Sequence, residues 1–456
     1  MALADTRAPE DGAPGLLSRL HHLSARLSII GAGQLLTFIV GIANQIVLAR
    51  TLEPVGYGQY ALVGTSAALL GWFVGLAVNV AAPAWVRGDP IRARTVVGLT
   101  GAYLALWGAV AVVVFVHFPQ VSARLISPNL SPQAGRWVLL TTVVGLGFAI
   151  ALGVLLGLGS FIGHAIISTI NSAALLALNV RLITISPGER VDAALLNLNI
   201  AYGAGILAAL VILMKRGALG RGVGWRAILA ERRSSTLRLY VANLVRLGFL
   251  RAPFYLVDRL LGPRALGVYA LADYVMNLVW RPAGIAGHVL LATAAMEQTE
   301  ADRSMVAWLC RLLSGATALA VLILAAIGKA GVAAVFGHAF RDTYPILLVA
   351  APGIWAYSVS MGIDFYYAAH DYPWVMILAF AAGAIITLLG APVVHAGGGL
   401  IGAAGMYGLG LVVSFAVVAA SFVRRTRIPW REIVIPRASD WHPIVGLWRA
   451  RAQHGA

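Results

Sequence analysis

Apolar runs of 20 or more residues follow one another along almost the whole 456-residue chain. Each is long enough to cross a hydrocarbon core ~30 Å thick. A chain with this pattern can fold only as an all-α polytopic membrane protein. The composition agrees, with 60% hydrophobic and 11% charged residues against about 25% charged in an ordinary soluble domain. The pattern predicts about twelve spans, near 27–49, 58–84, 95–117, 136–158, 161–182, 193–214, 238–257, 267–294, 305–327, 343–368, 374–394 and 400–423.

One stretch occurs twice. Arg50-Thr51-Leu52-Glu53-Pro54 aligns without a gap on Arg259-Leu260-Leu261-Gly262-Pro263. Further along, Gly58 meets Gly267, and Tyr60-Ala61-Leu62 meets Tyr269-Ala270-Leu271. Each copy ends one apolar run and opens the next, so each reads as the tight turn of a helical hairpin. The copies lie about 209 residues apart, which is a half-chain repeat. The expected organisation is an amphipathic N-terminal segment over 1–26 and a first six-helix lobe over 27–214. A basic linker follows over 215–237, then a second six-helix lobe over 238–423 and a tail over 424–456.

The net charge of +16 has a membrane explanation. With both termini inside, the cytoplasmic segments hold about 22 Lys and Arg and the opposite loops about nine. This predicts N-in, C-in topology and Arg facing anionic lipid rather than nucleic acid. The tail mixes Arg424, Arg425, Arg427 and Arg431 with Trp430, Trp441 and Trp448, an interfacial composition. No leading segment has the form of a cleavable signal peptide. The single cysteine, Cys310, excludes an internal disulfide. Gly is abundant, with 50 residues, and allows close helix approach. Pro83, Pro253, Pro282, Pro352 and Pro392 predict kinks.

Soluble-enzyme signatures are missing: there is no Walker A sequence, no H-E-x-x-H and no G-x-S-x-G. No metal or cofactor is expected. The informative residues are ionisable groups inside spans, which are costly at bilayer depth. Span 7 carries Arg246 and Arg251 with Asn243, and span 8 carries Asp273, Asn277 and Arg281 on one face, with Tyr269 one turn earlier. At helical rise, Arg251 and Asp273 share a level and read as a structural ion pair. Arg246 and Arg281 share another level, roughly 12 and 21 Å from the surfaces where their spans begin, with no acid in view. They read as a cationic site, or as snorkelling residues. Asp364, near the cytoplasmic end of span 10, reads as an interfacial acid, with a coupling carboxylate as the alternative, and Asn44, Gln45 and Asn79 read as interhelical hydrogen-bonding groups.

At these turns the sequence resembles a known family. Ala49-Arg50-Thr51-Leu52, Gly56-Tyr57-Gly58-Gln59-Tyr60 and Gly75-Leu76 are similar to the start of bacterial polysaccharide and O-antigen flippases. These belong to the multidrug/oligosaccharidyl-lipid/polysaccharide exporter superfamily. Asp258-Arg259-Leu260-Leu261-Gly262, Phe336-Gly337 with Phe340 and Pro345-Ile346-Leu347, and Gly399-Leu400-Ile401-Gly402-Ala403-Ala404-Gly405 resemble later family patterns. Span 6 departs by lacking the Gly-Ala-Ala entry that precedes span 12.

The resemblance implies two six-helix lobes related by an axis along the membrane normal. It also implies alternating access that moves undecaprenyl-diphosphate-linked oligosaccharide to the outer leaflet of the inner membrane. Arg246, Arg281, Asn277 and Tyr269 are then the expected substrate contacts, Arg251 and Asp273 the structural pair, and Arg50 and Arg259 equivalent residues of the periplasmic rim. The expected partners are the lipid-linked glycan, membrane lipid, a coupling ion (H+ or Na+) and other polysaccharide assembly proteins. Two rivals stand beside this reading: a multidrug exporter of the same superfamily, and a membrane glycan polymerase or ligase.

Overall fold

A computed structural model describes residues 16–76, 78–86, 88–118, 120, 124, 127–220, 222–224, 226, 233–294, 300–369, 374–437 and 440. Of 16–34, 233–237, 281–294 and 300–305 it describes the backbone course alone. Residues 1–15, most of the basic linker, and Trp441 and Trp448 of the tail therefore lie outside the described residues, as do the side chains of Asn79, Arg281 and Pro282.

The repeated stretch sets the architecture. The helix Leu16–Gly75 breaks at one residue, Glu53 (φ 55°, ψ 175°), and the helix Arg233–Ala294 breaks at Gly262 (φ 82°, ψ 179°). These are the positions that the repeat aligns, each just before a proline. We call the arms α1 (16–52) and α2 (54–75, continued by Val78–Val86), and α7 (233–261) and α8 (263–294). Across the first bend the Tyr57 hydroxyl donates to Gln45 Oε1 at 2.8 Å, so the arms fold back on each other. The remaining helices are α3 (Pro90–His117), α4 (Pro132–Gly157), α5 (Phe161–Val180), α6 (Arg190–Lys215), α9 (Glu300–Phe336), α10 (Thr343–Ala369), α11 (Trp374–Leu388) and α12 (Gly399–Thr426). These twelve helices form two six-helix lobes, α1–α6 and α7–α12, and no strand is present among the described residues.

Local chemistry starts and stops these helices. Asp89 accepts from the Ile91 amide at 2.7 Å and Ser131 from the Ala134 amide at 3.1 Å, each just before a proline at the first helical position. The anticipated proline kinks are not where the chain breaks. Pro83 and Pro352 sit inside continuous helices. Breaks fall instead at positive-φ residues: Glu53, Gly262, Gly328 (φ 68°) and Gly397 (φ 98°). A missing proline N–H can be tolerated in a membrane helix, whereas a sharp reversal needs left-handed backbone. The break at Gly328 falls just past the predicted end of its span at 327 and makes a short helix of 329–336, which the hydropathy pattern does not predict.

The lobes meet at the two turns. A Cβ on Gly58 would run into the carbonyl oxygen of Pro263, and a Cβ on Gly267 into that of Pro54. Gly58 is equivalent to Gly267 and Pro54 to Pro263, so the contact is reciprocal, as a twofold relation between lobes requires. Both turns therefore lie on one side of the membrane. Contact continues down α2 and α7, through Ser66 Oγ and the Tyr255 hydroxyl at 2.9 Å, to the Tyr240 hydroxyl donating to Phe73 O at 2.9 Å. Within the second lobe α10 is central, with 67% of its span buried, while α3 at the edge of the first lobe has 11% buried.

Candidate functional site

The buried charges gather in the second lobe, where α7, α8, α10 and α12 pack together. Arg251 Nη1 lies 2.7 Å from Asp273 Oδ2, a short charge-assisted contact. Asn277, one turn along α8, donates through Nδ2 to the Asp273 carbonyl at 2.7 Å and to Asp273 Oδ2 at 3.0 Å. The four-residue spacing of Asp273 and Asn277 places both on one face, so a single acid is held from two helices. Rings enclose the pair. The Arg251 guanidinium carbon stands 5.3 Å from the centre of the Phe254 ring, which packs edge-on against Tyr269 with centroids 5.7 Å apart. The Tyr269 and Tyr407 side chains are fully buried. Arg251 Nε and the hydroxyls of Tyr269 and Tyr407 have no hydrogen-bond partner among the described residues.

Arg246 corrects the sequence reading. It was expected to stand at its level without an acid, yet its Nη1 lies 3.4 Å from Asp364 Oδ2 on α10. Asp364 is buried, 8% exposed, against Arg246 on α7. The two residues are 118 positions apart, and only the packing of α7 against α10 brings them together. The contact is looser than the Arg251 pair: the Arg246 side chain is 35% exposed and the Asp364 side chain 11%. The Arg281 side chain lies outside the described residues, so the second half of the expected cationic site has no described geometry. Tyr269 and Asn277 belong to the Arg251–Asp273 cluster, and Tyr269 is enclosed in this conformation.

The first lobe is neutral at the corresponding depth. Asn197 Nδ2 donates to Asn179 Oδ1 at 3.0 Å, and Asn179 Nδ2 donates to Asn44 Oδ1 at 2.8 Å, linking α6, α5 and α1. Asn199 donates to Thr141 Oγ1 at 2.9 Å, joining α6 to α4. Amides satisfy one another here because each carries both donor and acceptor.

At the turn side the two arginines of the repeat are both exposed. Arg50 reaches across the lobe boundary, its Nε donating to Val335 O at 2.9 Å and its Nη2 to Ala334 O. It thereby caps the last carbonyls of the short helix 329–336, where a cation is favoured. The sequence reading passed over Asp258, the residue before Arg259. Its Oδ2 accepts from Ser127 Oγ and its carbonyl accepts from Asn129 Nδ2 at 2.7 Å, tying the α3–α4 connection to the top of α7. Its position at the head of the second turn was the available signal.

Twelve helices in two lobes, joined at equivalent turns and with eight stretches long and apolar enough to cross a membrane among the described residues, define a multi-pass membrane protein. No protein-family model matches the chain, and no curated protein matches it in sequence. Solved structures do. A MATE protein in complex with MaL6 superposes with a TM-score of 0.61 at 14% identity, covering 89% of this chain and 96% of that one. A MOP superfamily transporter from Pyrococcus furiosus, described as having a binding pocket of reverse polarity, gives a TM-score of 0.61 at 13% identity over 89% and 94% of the two chains. The lipid II flippase MurJ in an inward closed conformation gives 0.58 at 11% identity, covering 89% of each chain. The likeness is one of fold: this chain has the two-lobed fold of MATE and MurJ proteins.

Proposed function

We propose that this chain is an inner-membrane flippase. It moves undecaprenyl-diphosphate-linked oligosaccharide units to the outer leaflet by alternating access, for the synthesis of cell-surface or exported polysaccharide. The observation that carries the reading is the loose contact between Arg246 and Asp364, 3.4 Å apart with the arginine side chain 35% exposed. A guanidinium this exposed beside its acid can exchange that carboxylate for a diphosphate, which it binds bidentately. Arg281, eight residues beyond Asp273 on α8, is assigned to the same head group. Asn277 and Tyr269 are assigned to positioning the Arg251–Asp273 pair rather than to sugar hydroxyls. Exchange at Arg246 takes one cation away from the Asp364 carboxylate, and a coupling H+ or Na+ is assigned to that acid. The fold, shared with a lipid II flippase over 89% of both chains and with MATE proteins alike, accommodates such a cargo.

A second reading, an exporter of organic cations, is favoured by the charge balance of the second lobe. Arg246 and Arg251 are each matched by an acid, so the described interior carries no excess positive charge. One experiment separates the two. In cells carrying Arg246→Ala or Arg246→Lys, lipid-linked intermediates are assigned to a membrane leaflet and drug susceptibility is scored in parallel. The flippase reading expects Ala to leave intermediates on the inner leaflet with the protein present at normal amount, and Lys to restore transport in part. Normal glycan export by the expressed Ala variant, or a drug phenotype alone, would overturn it.

A further inference from the structure

On the turn side a cleft of about 460 Å³ opens between the first lobe and the turn that joins α7 to α8. Its lining carries three acids, Glu53, Asp192 and Asp258, against one base, Arg190. The base is already engaged: Arg190 Nε donates to Ile185 O and Nη1 to Thr51 O, each at 3.0 Å. Asp192 takes one donor, Trp137 Nε1, at 2.6 Å.

Asp258 differs from the other two. It is 0% exposed, its Oδ2 is held by Ser127, and its Oδ1 has no hydrogen-bond partner among the described residues. A buried carboxylate oxygen left bare is uncommon, because the desolvation of an ion must be offset by donors. Asp258 is among the residues lining the cleft, so a donor there reaches Oδ1 once the carboxyl turns toward it. Glu53 adds a second, unrelated sign. It holds a left-handed backbone (φ 55°) at the position where the other copy of the repeat has Gly262. Glycine adopts that backbone without a Cβ penalty, so an acid here keeps its carboxylate at the cleft at the expense of backbone ease.

We propose that this cleft binds a protonated primary amine, supplied either by an amino sugar or by an organic cation. An ammonium brings three donors and a positive charge. One donor completes Asp258 Oδ1, the excess acid of the lining balances the charge, and the side-chain amide of Gln59 is within the same lining. A bare metal ion fits less well. No three His, Cys, Asp or Glu side chains converge as ligands among the described residues, and the cleft is far larger than one ion. An anionic sugar meets like charge. The proposal stands apart from the cargo reading above, because an oligosaccharide flippase and a cation exporter alike release cargo past this rim.

The test uses the full chain in detergent at neutral pH, titrated calorimetrically with glucosamine, cadaverine and N-acetylglucosamine. The last has the same ring without the charge. A saturable signal from at least one amine, with N-acetylglucosamine at least tenfold weaker, is expected. Tighter glucosamine than cadaverine assigns the amine to a sugar, and the reverse assigns it to an organic cation. Asp258→Asn should weaken the amine at least tenfold and Glu53→Gln several-fold. Should Asp258→Asn fail to fold, Glu53→Gln decides, since it changes charge and keeps length. Equal binding of glucosamine and N-acetylglucosamine, no saturable binding of either amine, or an unchanged affinity in the folded variants would overturn the proposal. None of these results bears on where lipid-linked intermediates accumulate.

Discussion

Gly58 and Gly267 face each other across the lobe axis, a Cβ on Gly58 falling 2.8 Å from the Gly267 nitrogen and 3.2 Å from its Cα. Neighbouring atoms that close are backbone and cannot swing aside. Gly58→Ala or Gly267→Ala therefore pushes the two turns apart. Overpacking of this kind costs about 1–3 kcal/mol, and here the strain falls on the arrangement in which the turns touch. The expected outcome is a longer and broader distance between spin labels attached through Val55→Cys and Arg264→Cys, both at exposed positions, while the helix content stays the same. An unchanged distance distribution would show that the turns are not held together by this contact.

The Arg251–Asp273 pair supports a second prediction. Removing one partner of a buried pair leaves an uncompensated charge and costs about 3–5 kcal/mol, whereas replacing both by apolar groups of similar size is often close to neutral. Arg251→Met and Asp273→Leu should each lower the thermal midpoint of the purified protein markedly. The double variant should recover much of the loss. Asp273→Asn offers a milder single change, because Asn277 Nδ2 can still donate to the remaining carbonyl oxygen. Single and double variants with equal loss would mean that the two side chains act independently despite their 2.7 Å separation.

Much of the fold was legible because its determinants are local. Apolar length marks the spans, and the gapless alignment of Pro54 on Pro263 marks two equivalent turns. Even the single-residue bends fall at aligned positions, Glu53 and Gly262. Residues four apart on one helix share a face, which is how Asp273 and Asn277 could be read together. What helical periodicity cannot supply is which distant helices touch. Arg246 has no acid within reach on α7 or α8, and Asp364 becomes its partner only because α10 packs against α7. The break at Gly328 was legible in part: the predicted span ends at 327, but the helix of 329–336 that follows is too short to register as a span in hydropathy. The bare oxygen of Asp258 is likewise a tertiary property, since its partners come from the α3–α4 connection about 130 residues earlier in the chain.

The tail supplies a prediction with a definite pH sign. Glu432, Val434 and Asp440 of the tail are bonded to α9 on the side opposite the turns. Arg311 holds the Asp440 carboxylate through Nε, at 3.0 Å from Oδ1 and 2.9 Å from Oδ2, and through Nη2 at 2.7 Å from Oδ1. Nearby, Arg311 Nη1 donates to Glu432 O at 2.9 Å, Ser314 Oγ to Val434 O at 2.7 Å and Trp308 Nε1 to Asp440 O at 2.9 Å. The hydrogen bonds from Arg311 hold the Asp440 carboxyl below its ordinary value of 3.8. A carboxyl with a depressed folded-state value stabilises the fold fully above its unfolded value. That contribution is lost as pH falls through the lower, folded one. Asp440→Asn removes the charge while keeping the shape, so it should lower the thermal midpoint at neutral pH and expose the chain after Arg437 to trypsin. The gap in midpoint between wild type and variant should stay constant from neutral pH down to about pH 5. It should then close as the solution is acidified below the ordinary carboxylate range, because the wild-type carboxyl has become neutral too. A gap that widens in acid, or a variant whose tail resists trypsin as the wild type does, would show that Asp440 does not fasten the tail to α9.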